Sequence, residues 1–130
     1  MDALYLKEWV SDGRILRYCF HETSRATADA WYEDIAEVFR TWRNDRLFLL
    51  LLDVRMQGAI ISAQALIRAQ QAAMLRPDVS GRNAMLVASP IAAQVISSVI
   101  RTGLTPGRRQ RLVFSDENQA IAWLLQAASR

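Results

Sequence analysis

Asp53 follows six apolar residues, Leu47 to Leu52, and precedes a short polar loop and a stretch rich in alanine and glutamine. A carboxylate at such a junction can orient a histidine, hold loop amides or touch a ligand. His21 and Ser89 stand at two further junctions of the same kind, so the residue types of a Ser–His–Asp triad are present. Ser89 lacks a G-x-S-x-G elbow, and Pro90 directly after it suits a helix cap. Asp53 is therefore read first as a carboxylate that holds the amides of its own loop. Arg55, Gln57 and Ser89, together with Asp53, form the candidate ligand or partner loop. Glu22, Ser115 and Asp116 complete the polar residues at these junctions.

Other chemistries lack their residues. There is no G-x-x-x-x-G-K-[ST] loop and no G-x-G-x-x-G turn to cradle phosphates. One histidine and one cysteine are too few for a zinc site, and no acidic cluster in the sequence suits magnesium. No metal and no cofactor is expected, and the chain is expected not to be an enzyme.

The elements that position these residues are legible from periodicity. Residues 3–10 alternate in polarity, as a strand does, and Asp12-Gly13 signals a hairpin turn into a second strand over 15–21. Thr27 is the expected N-cap of a first helix, with Asp29 in its first turn. Trp31, Ile35, Val38, Phe39 and Trp42 form its apolar stripe. Residues 47–54 are apolar at nearly every position, which marks a strand buried on both faces. A second helix is expected over about 61–75 and stops before Pro77. A fourth strand is expected over 83–88. Then comes a helix capped by Ser89 and ended by Gly103, a fifth strand over 109–114, and a last helix capped by Ser115.

The order ββαβαβαβα predicts an α/β fold: a mixed, mostly parallel five-stranded sheet with about four helices. Right-handed crossovers would gather the helices on one face. The apolar third strand then needs a cover on its other face, from the first helix, the hairpin or a second subunit. Trp31, Trp42 and Trp123 are expected in the core and Trp9 at the sheet edge. The second helix carries two apolar faces. One has Ile60, Ala63, Ile67 and Met74, and the other has Ile61, Ala65, Ala69 and Ala72. One face packs on the sheet, and the other is a candidate surface for a homodimer or another protein.

At 130 residues the chain is expected to form one domain over 1–130, with a core that needs no disulfide. A single cysteine, Cys19, and a start without a basic-then-apolar pattern point to a reducing cytoplasm. No apolar run is long enough for an integral membrane segment. All but one of the 16 basic residues are arginine. They are scattered among acids except in 40–46 and 107–111, so nucleic acid is not the expected partner and the arginine bias is read as compositional.

Three segments resemble the STAS family of anti-sigma-factor antagonists and the small bacterial STAS/SEC14-like proteins. They are "LFLLLLDVR", the loop and helix start "MQGAIISAQAL", and "VISSVIRTGLTPGRRQRLVFSDENQAIAWLLQ". The resemblance implies a STAS-like domain with a regulatory, non-enzymatic role in signalling through protein–protein interaction. Its implied partner is a kinase or an anti-sigma-like protein. The family carries Asp-Ser-Ser/Thr-Gly after the central strand, with the second hydroxyl phosphorylated. Here that tetrad falls on Ile61 to Gln64: Ser62 matches the first serine, and Ala63 stands at the acceptor place. Shifted by one residue, Ser62 becomes the candidate phospho-acceptor; otherwise it is a cap of its helix. The motif is degenerate in either register. The SEC14-like side of the resemblance implies the alternative, a small apolar-ligand or lipid-binding protein lined by tryptophan, Met56, Met74 and Ile60. A small hydrolase built on His21, Asp53 and Ser89 is the third reading.

Overall fold

β3 (Phe48–Asp53) is buried along its whole length and organises the molecule. The computed structural model describes residues 5–57, 62–102 and 109–128, with the backbone alone at 57 and 99–102. Within these, β1 (Tyr5–Val10), β2 (Ile15–Phe20), β3, β4 (Gly81–Leu86) and β5 (Arg109–Phe114) form one sheet in sequential order. β1 is antiparallel to β2 and the other neighbours are parallel. The helices are α1 (Arg25–Thr41), α2 (Ala63–Ala73), α3 (Pro90–Thr102) and α4 (Glu117–Ala128), with a short 3₁₀ turn at Arg55–Gln57. The α/β class, the element order and the hairpin are as the sequence predicts. Asp12 and Gly13 take φ of 60° and 78°, the positive values that a tight hairpin turn requires.

Alternation along β3 divides the core in two. Phe48, Leu50 and Leu52 face α1, α2 and α3, where Trp31, Ile35, Phe39, Ala72 and Ile96 meet them. Leu49 and Leu51 face the other way, against Ala120 and Leu124 of α4. The cover of the second face is thus the last helix, not the first helix, the hairpin or a second subunit. Among the described residues α4 follows β5 and leads into no further strand. The crossover rule that places α1, α2 and α3 on one side does not bind it.

Several element boundaries differ from the sequence reading. α1 is capped by Ser24, whose Oγ accepts from Thr27 N at 3.3 Å; Thr27 is fully buried inside the helix, and Asp29 lies beyond the first turn. α4 is capped by Asp116 rather than Ser115, its Oδ1 accepting from Gln119 N at 3.1 Å. In both cases two polar residues compete for the cap, and the one whose oxygen reaches the amide three residues on prevails. α2 is shorter than expected, running from Ala63 with Ser62 as its cap; Ile60 and Ile61 lie outside the described residues, as does Gly103. β4 starts earlier, at Gly81, because Phe48 N donates to Ser80 O at 2.9 Å and draws this segment against β3. A Cβ on Gly81 would stand 1.9 Å from Phe48 O. Trp31 is buried, Trp42 and Trp123 are partly so, and Trp9 is 45% exposed on the edge strand, stacked on Trp42 at 6.0 Å.

Helix C-termini leave carbonyls without intrahelical donors. Arginines from elsewhere in the chain meet the ends of α1 and α2, and a third binds a carbonyl inside α4. Arg76 Nη1 donates to Phe39 O and Trp42 O at the end of α1, at 2.6 and 2.9 Å. Arg82 Nη1 donates to Trp123 O in α4 at 2.6 Å. Arg109, 7% exposed, donates to the carbonyls of Ala73, Leu75, Arg76 and Val79 after α2, with its guanidinium 4.6 Å from the Phe39 ring centroid. Burial pulls the pKa of Arg109 below the ordinary arginine value.

Two substitutions test this frame. Gly81→Ala must push β3 and β4 apart and is expected to cost more than about 3 kcal/mol in urea unfolding. Arg109→Lys keeps the charge but cannot reach several carbonyls at once. It is expected to lower stability by about 2 kcal/mol with an unchanged m-value.

Candidate functional site: the ion network at the end of β3

The end of β3 places Asp53 on the α4 side of the sheet, in register with Cys19 of β2 and Leu86 of β4. Its carboxylate is 3% exposed. A charge this deep is stable only when paired and hydrogen-bonded. Two arginines do this. Arg17 Nη2 donates to Asp53 Oδ2 at 2.7 Å. Arg55 forms a two-pronged contact, Nε to Oδ1 at 3.1 Å and Nη2 to Oδ2 at 2.8 Å, and its backbone N donates to Oδ1 at 3.0 Å. Asp53 therefore holds an amide of its own loop, as read from sequence, and carries two guanidiniums as well.

The network continues outward. Glu117, in the first turn of α4, accepts from Arg55 Nη2 at 2.7 Å and from Arg17 Nη2 at 3.3 Å. Glu8 of β1 accepts from Arg17 Nη1 at 3.2 Å. Five charged side chains from β1, β2, β3, the 3₁₀ turn and α4 thus lock together. Burial alone would raise the pKa of Asp53, but the Arg55 hydrogen bonds and the charges of Arg55 and Arg17 outweigh it and hold the carboxyl below its ordinary value. Such a carboxylate is a poor base at neutral pH, and both of its oxygens are occupied.

Ser89 and Ser62 serve as helix caps instead. Ser89 Oγ accepts from Ala92 N at 3.1 Å and caps α3. Gln57 closes the 3₁₀ turn with its backbone. Ser62 Oγ accepts from Ala65 N at 3.0 Å, and Ser62 N donates to Thr23 Oγ1 at 3.4 Å, so the serine caps α2 and ties it to the loop after β2. Asp53 is committed to arginines and Ser89 to a helix amide, so the pair does not form two arms of a triad. Among the described residues, no three of His, Cys, Asp and Glu gather to hold a metal ion, and no helix is long and apolar enough to cross a membrane.

Two small cavities, the first of them apolar, lie between the sheet and the α1–α2 pair, each of about 30 Å³. One is lined by Phe20, Thr27, Trp31, Leu52, Leu66 and Met85, the other by Ile35, Phe39, Leu50, Asn83 and Arg111, with Trp31 shared. Each has room for about a water molecule.

Sequence reading missed Arg17, Glu8 and Glu117 as partners of Asp53. The available signal was Arg17 itself, a charged residue between Ile15 and Cys19 on one face of an otherwise apolar strand. A buried guanidinium must find a carboxylate, but the strand register that supplies one is a tertiary fact. No family model matches the chain, and neither a curated protein nor a solved structure does.

Asp53→Asn leaves Arg17 buried without its closest counter-charge and is expected to cost about 3 kcal/mol at pH 7. A carboxyl with a depressed folded pKa contributes stability above its unfolded pKa of about 3.9 and loses it as pH falls through the folded value. The stability gap between wild type and Asp53→Asn should therefore be full at pH 6 and shrink as pH falls through the folded value, as read by urea unfolding over an acid series. Ser62→Ala is expected to cost about 1 kcal/mol and Ser62→Asp far less, because aspartate also accepts from the α2 amides.

Proposed function

We propose that this chain is a non-enzymatic regulatory domain that acts by protein contact, on a scaffold similar to the anti-sigma-factor antagonists, with the phosphorylation switch reduced to a helix cap. The observation that carries this reading is the state of Asp53. The strand-end carboxylate, placed where an open α/β sheet usually works, is neutralised by Arg17 and Arg55 and braces β3 against α4. Its chemistry is structural, and what it steadies is the surface around it. The link to the family is by analogy of element order, and function must be judged from the surface itself. Cavities of about 30 Å³ give no support to the apolar-ligand alternative.

A contact function needs an exposed apolar surface, and α2 has one. Ala65, Ala69 and Ala72 turn inward, while Ile67 and Met74 are 50% and 55% exposed. Met56, beside Arg55, is 71% exposed. An apolar stripe of this kind suits a second copy of the chain or another protein. Sedimentation of the wild-type chain is expected to show a concentration-dependent dimer, and the double variant Ile67→Glu, Met74→Glu a monomer. A monomer mass at every concentration removes the second copy as the partner. Native mass spectrometry of the chain purified from its own host tests the function as a whole. A protein partner is the expected result, a phosphate on Ser62 would restore the switch, and a co-purified apolar ligand would overturn the contact reading.

A further inference from the structure

Trp31 is 3% exposed, and its indole Nε1–H has no hydrogen-bond partner among the described residues. Asn83 Oδ1 is likewise out of solvent contact and has no donor among them. Buried indole N–H groups and amide oxygens are normally paired, so each of these needs a reason. One is a donor and the other an acceptor. Both side chains line the second of the two cavities between the sheet and the α1–α2 pair, the one bounded by Ile35, Phe39 and Leu50. Trp31 reaches it from α1, and Asn83 from β4, where it stands in register with Leu50.

The two cavities differ in their polar lining. Trp31 borders both, but Asn83 borders only the second. The first has Thr23 and Thr27, and their hydroxyls are engaged: Thr23 Oγ1 accepts from Ser62 N at 3.4 Å and Thr27 Oγ1 from Ser24 Oγ at 3.3 Å. Apolar cavities stay dry, whereas a cavity with polar groups on its walls and about 30 Å³ of room holds water. Arg111 of β5 also lines the second cavity, and its Nη1 donates to Gln70 Oε1 of α2 at 3.3 Å. These walls select the occupant by charge. An indole N–H and a guanidinium repel a cation, and Asn83 Oδ1 calls for a donor, which a bare anion lacks. The occupant is neutral, and it both donates and accepts.

We propose that the second cavity is an internal hydration site, in which one water accepts from Trp31 Nε1–H and donates to Asn83 Oδ1 and so joins α1 to β4 beneath α2. Its second lone pair is left for the guanidinium of Arg111, which makes up the three bonds typical of a buried water. The bridge accounts for a polar side chain at Asn83, whose neighbour on the same face of β4 is the apolar Met85. The site lies on the inner side of α2 and is independent of the contact function proposed for the outer side.

Water-selective NMR on the isotope-labelled full chain tests the site. The four tryptophans give four indole N–H signals, and sequential assignment or the Trp31→Phe variant identifies the one in question. That signal is expected to show a rotating-frame Overhauser effect with water, of the sign that excludes direct proton exchange. Asn83→Leu, close in volume, removes the acceptor and is expected to abolish it. An effect that survives in Asn83→Leu would trace to the Thr27 hydroxyl in the first cavity and overturn the assignment. Its absence from the wild-type chain would overturn the site outright, and an Overhauser effect to the carbon-bound protons of a small molecule would overturn water as the occupant. Urea unfolding of Trp31→Phe, Asn83→Leu and the double variant gives an independent readout. Either single variant orphans the opposite group, whereas the double variant leaves neither behind. The double variant is therefore expected to be more stable than the product of the single effects, by about threefold or more in the unfolding equilibrium constant. Independent effects of the two substitutions would overturn the bridge.

Discussion

The arginines that close the helix C-termini are the constraint on which the rest of this structure depends. In an alternating α/β chain every crossover helix ends at the same edge of the sheet, with carbonyls pointing out of its last turn. Those carbonyls lie close to the core and cannot all be hydrated. Arg76 meets the end of α1 and Arg109 the end of α2, while Arg82 adds a bond to the Trp123 carbonyl inside α4. Each bond joins a helix to a residue far along the chain, so the same contacts that satisfy the backbone also hold the layers in register. A lysine offers a single ammonium point. A guanidinium offers five donors in a plane, and Arg109 uses them on several carbonyls at once. The arginine bias of the sequence thus has a structural cause at these positions and is not merely compositional. These arginines are spent inside the fold and are not offered to an external polyanion.

The opposite edge of the sheet obeys the complementary rule. Ser24, Ser62, Ser89 and Asp116 accept from the first amides of α1, α2, α3 and α4. Asp53 would be an exception, a buried carboxylate at the end of an apolar strand, were it not held by Arg17 and Arg55. Its ion network is therefore continuous in purpose with the caps, because it satisfies polar groups that the fold has removed from water. The same network links β1, β2, β3 and α4, and so stiffens the side of the molecule where the sheet is least covered.

That uneven cover is what connects the packing to function. Three helices cover one face, and the two cavities described beneath them are about the size of a water molecule. One helix on the other face is enough to bury Leu49, Leu51, Ala84 and Leu86 of the central strands, but not the edge strand β1. A domain with a neutralised strand-end carboxylate and apolar side chains left at its surface has free energy of interaction to offer on the outside. The contact function proposed for this chain follows from that distribution.

The sequence by itself determined the class of fold and the order of its elements, because periodicity is local. Alternation marks β1 and β2, an unbroken apolar run marks β3, and Pro77 and Pro90 punctuate the helices. It also placed Asp53, Ser62 and Ser89 at element ends, since caps and strand termini are written within a few residues. Which of two neighbouring polar residues would cap was not decided locally, and both Thr27 and Ser115 yielded to neighbours whose oxygens reach the amide. Only the tertiary structure decided that α4 covers the second face, because its place rests on the packing of Ala120 and Leu124 against Leu49 and Leu51. Only the register of β2 on β3 brought Arg17 to Asp53, and only the packing of β5 beneath α2 carried Arg109 to its carbonyls. Contacts between residues tens of positions apart depend on how layers stack, and no window of sequence contains that.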